Sequence, residues 1–190
     1  MRILRLQVQL SVDGFNSAED GGLDWMTWNW DKKLIEYTTS ITDPIDTILL
    51  GKNMTDGFIN HWAKVASDPG NPEYTAGKKF TDTHKVVFSR TLKESNWPNT
   101  VIAGGDLREE VNKLKNSHGG DIIVYGGSEF VSNLIKEGLI DEYQLYINPV
   151  ILGKGKQIFN KLASRQELVL IRSTQFECGI TVLHYELKNN

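Results

Sequence analysis

One cysteine, Cys178, stands in the 190 residues. A single thiol excludes an internal disulfide and any multi-cysteine zinc site. It fits a reducing compartment. Long apolar runs are also missing: none approaches the roughly 20 residues that cross a bilayer. The start, Met1-Arg2-Ile3-Leu4-Arg5, carries neither an apolar signal core nor a small-residue cleavage site. The expectation is a soluble, cytoplasmic protein with no membrane partner. Surplus positive charge is absent as well. A net charge of -3 argues against a general nucleic-acid surface. No fixed-period repeat or low-complexity tract interrupts the chain, and its length suits a single domain over 1–190.

Several catalytic signatures are lacking too. Without Gly-x-x-x-x-Gly-Lys-Ser/Thr, a P-loop kinase is excluded. No Gly-x-Gly-x-x-Gly follows the first strand, so the common dinucleotide fingerprint fails. Ser128 lies in Gly-Gly-Ser-Glu-Phe rather than Gly-x-Ser-x-Gly, which speaks against a hydrolase elbow. His61, His84, His118 and His184 are scattered with no His-Glu-x-x-His, and no metal site is expected.

What is present centres on Ile122-Ile123-Val124-Tyr125-Gly126-Gly127-Ser128-Glu129-Phe130. Three β-branched residues predict a buried strand, two glycines end it, and a helical pattern follows. In that pattern Phe130 and Leu134, and Val131 and Ile135, fall four residues apart on one face. Gly138 supplies the stop. Bare backbone at a helix N-terminus favours an anion, although a tight turn without a ligand has the same sequence.

Alternation at Leu4, Leu6, Val8, Leu10 and Val12 predicts the first strand, running into Asp13-Gly14. The stretch Asn16 to Trp30 holds Gly21-Gly22 and Trp25, Trp28 and Trp30. It suits either a lid over a flat ligand or a loop pinned by aromatic packing. Asp31 can cap a helix to about Ile41, with Leu34, Ile35, Thr38 and Ile41 inward. Ile45 to Leu50 reads as the second strand, closed by Gly51 and followed by a short helical segment from Lys52-Asn53-Met54-Thr55. Ser67 to Gly77 reads as an irregular excursion. Lys85 to Phe88 and Thr100 to Ala103 are strands, the first ending in Ser89-Arg90. Asp106 caps the next helix, whose apolar face is Leu107, Val111 and Leu114. Tyr143 to Ile147 is a further strand, and Leu168–Phe176 with Ile180–Leu187 form a terminal hairpin around Gly179.

Strands alternating with helices make the class α/β, with a mainly parallel sheet and an antiparallel edge from the hairpin. Ligands of such sheets bind beyond the C-terminal ends of strands. Three ends carry suitable chemistry: Gly51-Lys52, Ser89-Arg90 and Gly126-Gly127-Ser128. Together they suggest a polyphosphate ligand; separately each reads as a surface turn.

At this point the chain resembles the dihydrofolate reductase-like superfamily, and within it the reductase domain at the C-terminus of bifunctional riboflavin-biosynthesis proteins. The resemblance spans nearly the whole chain. Its most specific part runs from Ile122 to Phe159: the diglycine turn, then Glu137 to Glu142, then Leu145 to Gly153. Ser11-Val12-Asp13-Gly14, Ile48 to Lys52, and Val87 to Arg90 match as well.

The resemblance implies an NADPH-dependent reductase of a pyrimidine- or pterin-like heterocycle. A true dihydrofolate reductase and a non-catalytic nucleotide binder are the alternatives. It implies that Gly51, Lys52, Asn53 and Met54 lie along the cofactor phosphates. Ser89 and Arg90 would hold the adenosine 2′-phosphate, and Gly126, Gly127, Ser128, Glu129 and Phe130 would cradle the pyrophosphate. It also implies a cis Gly126–Gly127 peptide and a homodimer, with Tyr143 to Leu152 as a possible interface. Asp13, Trp25, Asp31 and Tyr146 are the candidates on the substrate side, Asp31 for proton delivery or as a plain helix cap. The chain departs from the family where Asp-Gly-Lys becomes Asp13-Gly14-Phe15. It departs again where a glutamate before the diglycine becomes Tyr125. Ile35 stands nearest to the acidic residue that folate reductases carry in the first helix.

Overall fold

A computed structural model describes residues 1–188. Eight strands form one sheet in the order β4-β3-β2-β5-β1-β6-β8-β7. They are β1 (Leu4–Leu10), β2 (Ile45–Gly51), β3 (His84–Phe88), β4 (Thr100–Ala103), β5 (Asp121–Val124), β6 (Glu142–Ile147), β7 (Leu168–Gln175) and β8 (Thr181–Leu187). The first six strands run parallel to their neighbours. β8 joins β6 antiparallel, and β7 closes the edge against β8. This is the mainly parallel sheet with an antiparallel C-terminal hairpin that the pattern predicts.

The period-2 alternation sorts the two faces. Leu4, Leu6, Val8 and Leu10 of β1, with Ile122 and Val124 of β5, pack under α4 (Leu107–Asn116) and α5 (Ser128–Lys136). Ile48 and Leu50 of β2, with Ile123, face α2 (Lys52–Ala66) and α3 (Tyr74–Asp82). Tyr146 and Val182 meet Leu34 of α1 (Lys32–Thr42) on that same second face. The central strand therefore gives the second face no aliphatic side chain; Arg5, Gln7 and Gln9 lie there.

The helices depart from expectation in three places. α2 is 15 residues long rather than a short segment, because Phe58 and Val65 bury on one face. α3 begins inside the supposed excursion: Gly77 reads as a turn residue but serves close helix contact. A Cβ there would lie 2.7 Å from Val65 Cγ1 and 2.8 Å from the Ala66 nitrogen. On α1, Leu34 and Ile41 turn inward as expected, but Ile35 is 51% exposed and Tyr37 packs inward in its place. Of the Tyr143 to Leu152 stretch expected as an interface, the part in β6 is internal, while Ile151 beyond it is 73% exposed. β6 lies between β1 and β8, and Tyr143, Gln144 and Tyr146 are buried within the protomer. The α5 stop behaves as expected, with Gly138 at φ 62°.

Candidate active site at the strand ends

The C-terminal ends of β2, β3 and β5 come together. Gly51 ends β2 against α5 so closely that a Cβ would lie 2.8 Å from Phe130 Cβ. The next residue, Lys52, crosses to the end of β3, where its ammonium donates to Thr91 Oγ1 at 2.9 Å. Ser89 Oγ accepts from the backbone of Leu92 at 3.0 Å and Thr91 at 3.3 Å, folding the Ser89–Leu92 turn back on itself. Lys52, Ser89, Arg90 and Thr91 thus form one locus. Asn53 begins α2 beside it, exposed. Thr91 was missed by sequence reasoning, though it directly follows Ser89-Arg90.

From β5 the chain turns at Gly126-Gly127 into α5. The Gly127 N–H donates to Met54 Sδ at 3.1 Å, joining the third strand end to α2. The implied cis bond is not found: no described peptide is cis, and the trans arrangement places that N–H on the sulfur. A Cβ on Gly127 would meet nothing nearer than Met54 Cβ at 4.0 Å, so the turn faces open space. Ser128 Oγ accepts from Asn16 Nδ2 at 3.0 Å, bringing the loop after β1 to the same turn. Asn16 is a second residue that sequence reasoning missed; no motif marks it.

Glu129 would oppose an anion at the α5 N-terminus, but Lys161 pairs with it. Between the ends of β3 and β4 and the start of α5 lies a cleft of about 810 Å³, lined by Ser89, Arg90, Gly104, Gly105, Glu129 and Phe130 among others. Phe88 and Phe130 form part of its floor, with ring centres 4.9 Å apart. Cations, free backbone and an open aromatic-floored cleft are a donor set that suits a phosphorylated nucleotide.

The substrate-side candidates divide. Tyr146 is fully buried, its hydroxyl 3.0 Å from Thr38 Oγ1 and its ring stacked on Trp30 at 5.8 Å. Burial pushes its phenol well up, so it stays protonated. Asp31 caps α1, accepting from Leu34 N–H with one oxygen and from Cys178 N–H with the other, both at 3.0 Å. The Cys178 bond, then the Leu34 bond, hold its carboxyl below the usual range against partial desolvation. With both oxygens committed to backbone, Asp31 is placed for capping rather than for delivering a proton.

Asp13 is likewise held low, first by the Ser11 hydroxyl, and receives Leu152 N–H at 3.1 Å and Gly153 N–H at 2.7 Å. It ties the turn after β1 to the 149–153 loop. Trp25 is half-buried, its indole nitrogen sealed from water without a partner. The loop before α1 is fixed by Trp30 Nε1 donating to the Thr27 carbonyl at 2.7 Å. Thr27 N–H in turn donates to buried Asn148 at 2.8 Å. Elsewhere Glu142, His184 and Glu186 bring ligand-type atoms within 4.8 Å of one another. Glu142 is already bonded to Arg5, whose charge opposes a cation there.

No described helix is long and apolar enough to cross a membrane. Comparison with known proteins agrees with the fold and extends it. The family model described as the RibD C-terminal domain matches residues 2–182. The uncharacterized protein YyaP of Bacillus subtilis is 33% identical over 184 residues, spanning 97% of this chain and 94% of that one. The riboflavin biosynthesis protein RibD of Corynebacterium ammoniagenes is 23% identical over 156 residues, and the match spans only 44% of its length. Among solved structures, a riboflavin biosynthesis protein from Shewanella sp. PV-4 superposes with a TM-score of 0.73 at 23% identity, each chain covered in full. The Thermotoga maritima deaminase/5-amino-6-(5-phosphoribosylamino)uracil reductase gives 0.69 at 15% identity, covering 98% of this chain and 57% of that one. The fold is dihydrofolate reductase-like, and the chain belongs to the RibD C-terminal domain family.

Proposed function

We propose that this protein is an NADPH-dependent reductase of a pyrimidine- or pterin-like heterocycle, in chemistry of the riboflavin-pathway type. One observation carries the reading: three strand ends converge, linked by Lys52 to Thr91 and by Gly127 to Met54, beside an open cleft. Bound there, the cofactor would supply a hydride to an imine or carbonyl carbon. Lys52, Ser89, Arg90 and Thr91 hold the charged adenosine end. The Gly126-Gly127 turn and the first N–H groups of α5 take the pyrophosphate. The stack of half-buried Trp30 on buried Tyr146 supports one wall of the heterocycle site.

A folate reductase is the weaker reading, because no carboxylate at α1 faces inward: Asp31 is spent on the cap, Ile35 points outward, and Glu36 is exposed beside Lys32. The test follows NADPH consumption at 340 nm against a panel of oxidised pyrimidines and pterins, with NADPH affinity measured separately. Tight NADPH binding with turnover of a member of the panel supports the reductase. Binding without any turnover supports a nucleotide-binding protein.

We also propose a homodimer built on β7 rather than β6. β7 is an edge strand on which Val169, Leu170 and Ile171 are 44%, 52% and 47% exposed. An exposed apolar edge invites pairing with another strand. A second copy meeting it antiparallel, about an axis between Val169 and Leu170, would set Glu167 opposite Arg172 twice. Light scattering at micromolar concentration should give a dimer, and Leu170→Lys a monomer; a monomeric parent refutes the proposal.

A further inference from the structure

The central strand presents Arg5, Gln7 and Gln9 to the second face of the sheet, and two of the three are accounted for. Arg5 is saturated by Glu142, Asp121 and the Ile41 carbonyl. Gln9 accepts from Asn148 Nδ2 at 3.1 Å. Gln7 is different. It is 9% exposed, its Oε1 is sealed from water, and its carboxamide has no hydrogen-bond partner among the described residues.

Its neighbours sharpen the anomaly. On β6 the registered partner is Gln144, whose Oε1 is taken by the Tyr37 hydroxyl at 2.6 Å. On β5, Leu6 pairs with Val124, and continuing that register by one residue sets Gln7 beside Tyr125. The Tyr125 hydroxyl is also buried and also without a partner. Its ring is held by stacking on Phe58 at 5.6 Å. Burial pushes its phenol far above the usual range, so it remains an O–H. Two unpartnered polar side chains thus fall on one face of the sheet, one register step beyond the last β1–β5 pair. Tyr125 directly precedes the Gly126-Gly127 turn. Buried polar groups are almost always paired, and exceptions call for a missing partner.

The chemistry of that partner follows from the pair. A carboxamide offers a donor and an acceptor together and carries no charge. It matches the N–H and C=O of a lactam or imide edge. An amidine edge, which offers only donors when protonated, would instead call for a carboxylate. The nearby acids are occupied: Glu142 by Arg5, and Asp31 by backbone. We propose that Gln7, seconded by Tyr125, is the residue that selects the heterocycle, reading a neutral lactam edge and rejecting an amidine edge. This rests on the reductase reading, since it places the substrate ring over the central strand beside the diglycine turn.

The test uses two probes of one size, 5,6-diaminouracil with its imide edge and 2,4-diaminopyrimidine with its amidine edge. Each is titrated calorimetrically into protein saturated with NADPH. The parent should favour the uracil at least tenfold. Gln7→Leu should lose at least tenfold on the uracil and gain nothing on the other probe. Gln7→Glu should invert the preference, and Tyr125→Phe should weaken the uracil about threefold. The two Gln7 variants should keep NADPH affinity within twofold of the parent, because Gln7 lies away from the strand-end locus. If the parent binds NADPH but shows no preference, or if Gln7→Leu keeps the uracil within twofold, the inference falls alone. If the parent fails to bind NADPH, the reductase reading itself falls. Should Gln7→Glu not fold, Gln7→Leu and Tyr125→Phe still decide.

Discussion

The two halves of this sheet approach their candidate ligands in opposite ways. On the β2, β3 and β5 side, the proposed contact is made by strand ends: the open Gly126-Gly127 turn, and charge at Lys52 and Arg90. On the β1 and β6 side, the proposed contact is a strand face, Gln7, backed by the buried Gln144 and Tyr146 under α1. Ends recognise what every nucleotide shares, its phosphates. Faces recognise what distinguishes one ring from another. The first kind of site requires glycine and cations at fixed places; the second accepts many side chains that fill the same space.

The sharpest way to break this contrast is at Gly127. Gly127→Val should abolish NADPH binding while the melting temperature falls little. Its Cβ meets no atom nearer than 4.0 Å, so the side chain would occupy the space the phosphate needs. Gly51→Ala is the control in the same half. There a Cβ lies 2.8 Å from Phe130 Cβ, and overpacking should cost about 1–3 kcal/mol of stability. Calorimetric titration and thermal melts separate the two outcomes. A Gly127→Val protein that binds NADPH like the parent would make the turn merely structural.

The same contrast explains what was legible in the sequence. The order of strands and helices followed from periodicity, and the three strand ends could be read because a glycine or a cation sits at each for reasons of backbone and charge. Thr91 and Asn16 escaped because hydroxyl and amide side chains are common in loops and carry no spacing signal. Gln7 was visible only as the polar half of an alternating strand; that β1 is central, and so buried on both faces, is a property of topology. α3 was hidden by Gly77, whose turn-like identity here serves close packing against Val65. Asp31 was readable as a cap from Leu34 onward, but its second bond, to Cys178, spans 147 positions and no local pattern announces it.

Next in size is Arg5, a buried cation at the other end of the sheet. Arg5, in the substrate half, is 8% exposed. Burial alone would lower its pKa, yet Glu142 and then Asp121 more than offset this and hold it up. Arg5→Leu strands the Glu142 carboxylate and should cost about 3–5 kcal/mol by chemical denaturation. A loss below about 1 kcal/mol would mean that the pair is solvated.

The cofactor half then offers a tenfold effect. If the proposed site reads the 2′-phosphate, NADH, which lacks it, gains nothing from Lys52 and Arg90. A charged hydrogen bond contributes roughly 1.5–3 kcal/mol, less where exposed, so one such bond gives about a tenfold preference for NADPH. Arg90→Ala should remove most of that preference by weakening NADPH alone, and salt should narrow it in the parent. Equal loss of both cofactors would show that Arg90 does not read the phosphate.

The smallest expected effect concerns Lys85, the counterpart of Arg5 in the cofactor half. Lys85 is 2% exposed, and among the described residues its ammonium donates only to the carbonyls of Thr81 at 3.0 Å and Thr83 at 2.7 Å. Without a bonded carboxylate, burial lowers its pKa from 10.5 to about 8, with Asp82 only partly opposing. Above pH 8 the folded protein releases this proton, while the unfolded chain keeps it until about 10.5. The unfolded state therefore binds more protons in that window, and stability rises with pH. Tyr143 sets the upper bound. Burial, then Asp141, pushes its phenol up to about 12, so above pH 10 the folded state holds the extra proton and stability falls. Between pH 8 and 10 the parent should gain on the order of 1 kcal/mol, after allowance for relaxation around the ammonium. Lys85→Met, which keeps the length of the side chain and has no proton to lose, should remove that rise and be the more stable protein at pH 7. Urea midpoints at pH 7, 8, 9 and 10 for both proteins decide it. Parallel curves would show that Lys85 keeps its proton through the window, and that the carbonyls of Thr81 and Thr83 hold a charge as firmly as Glu142 holds Arg5.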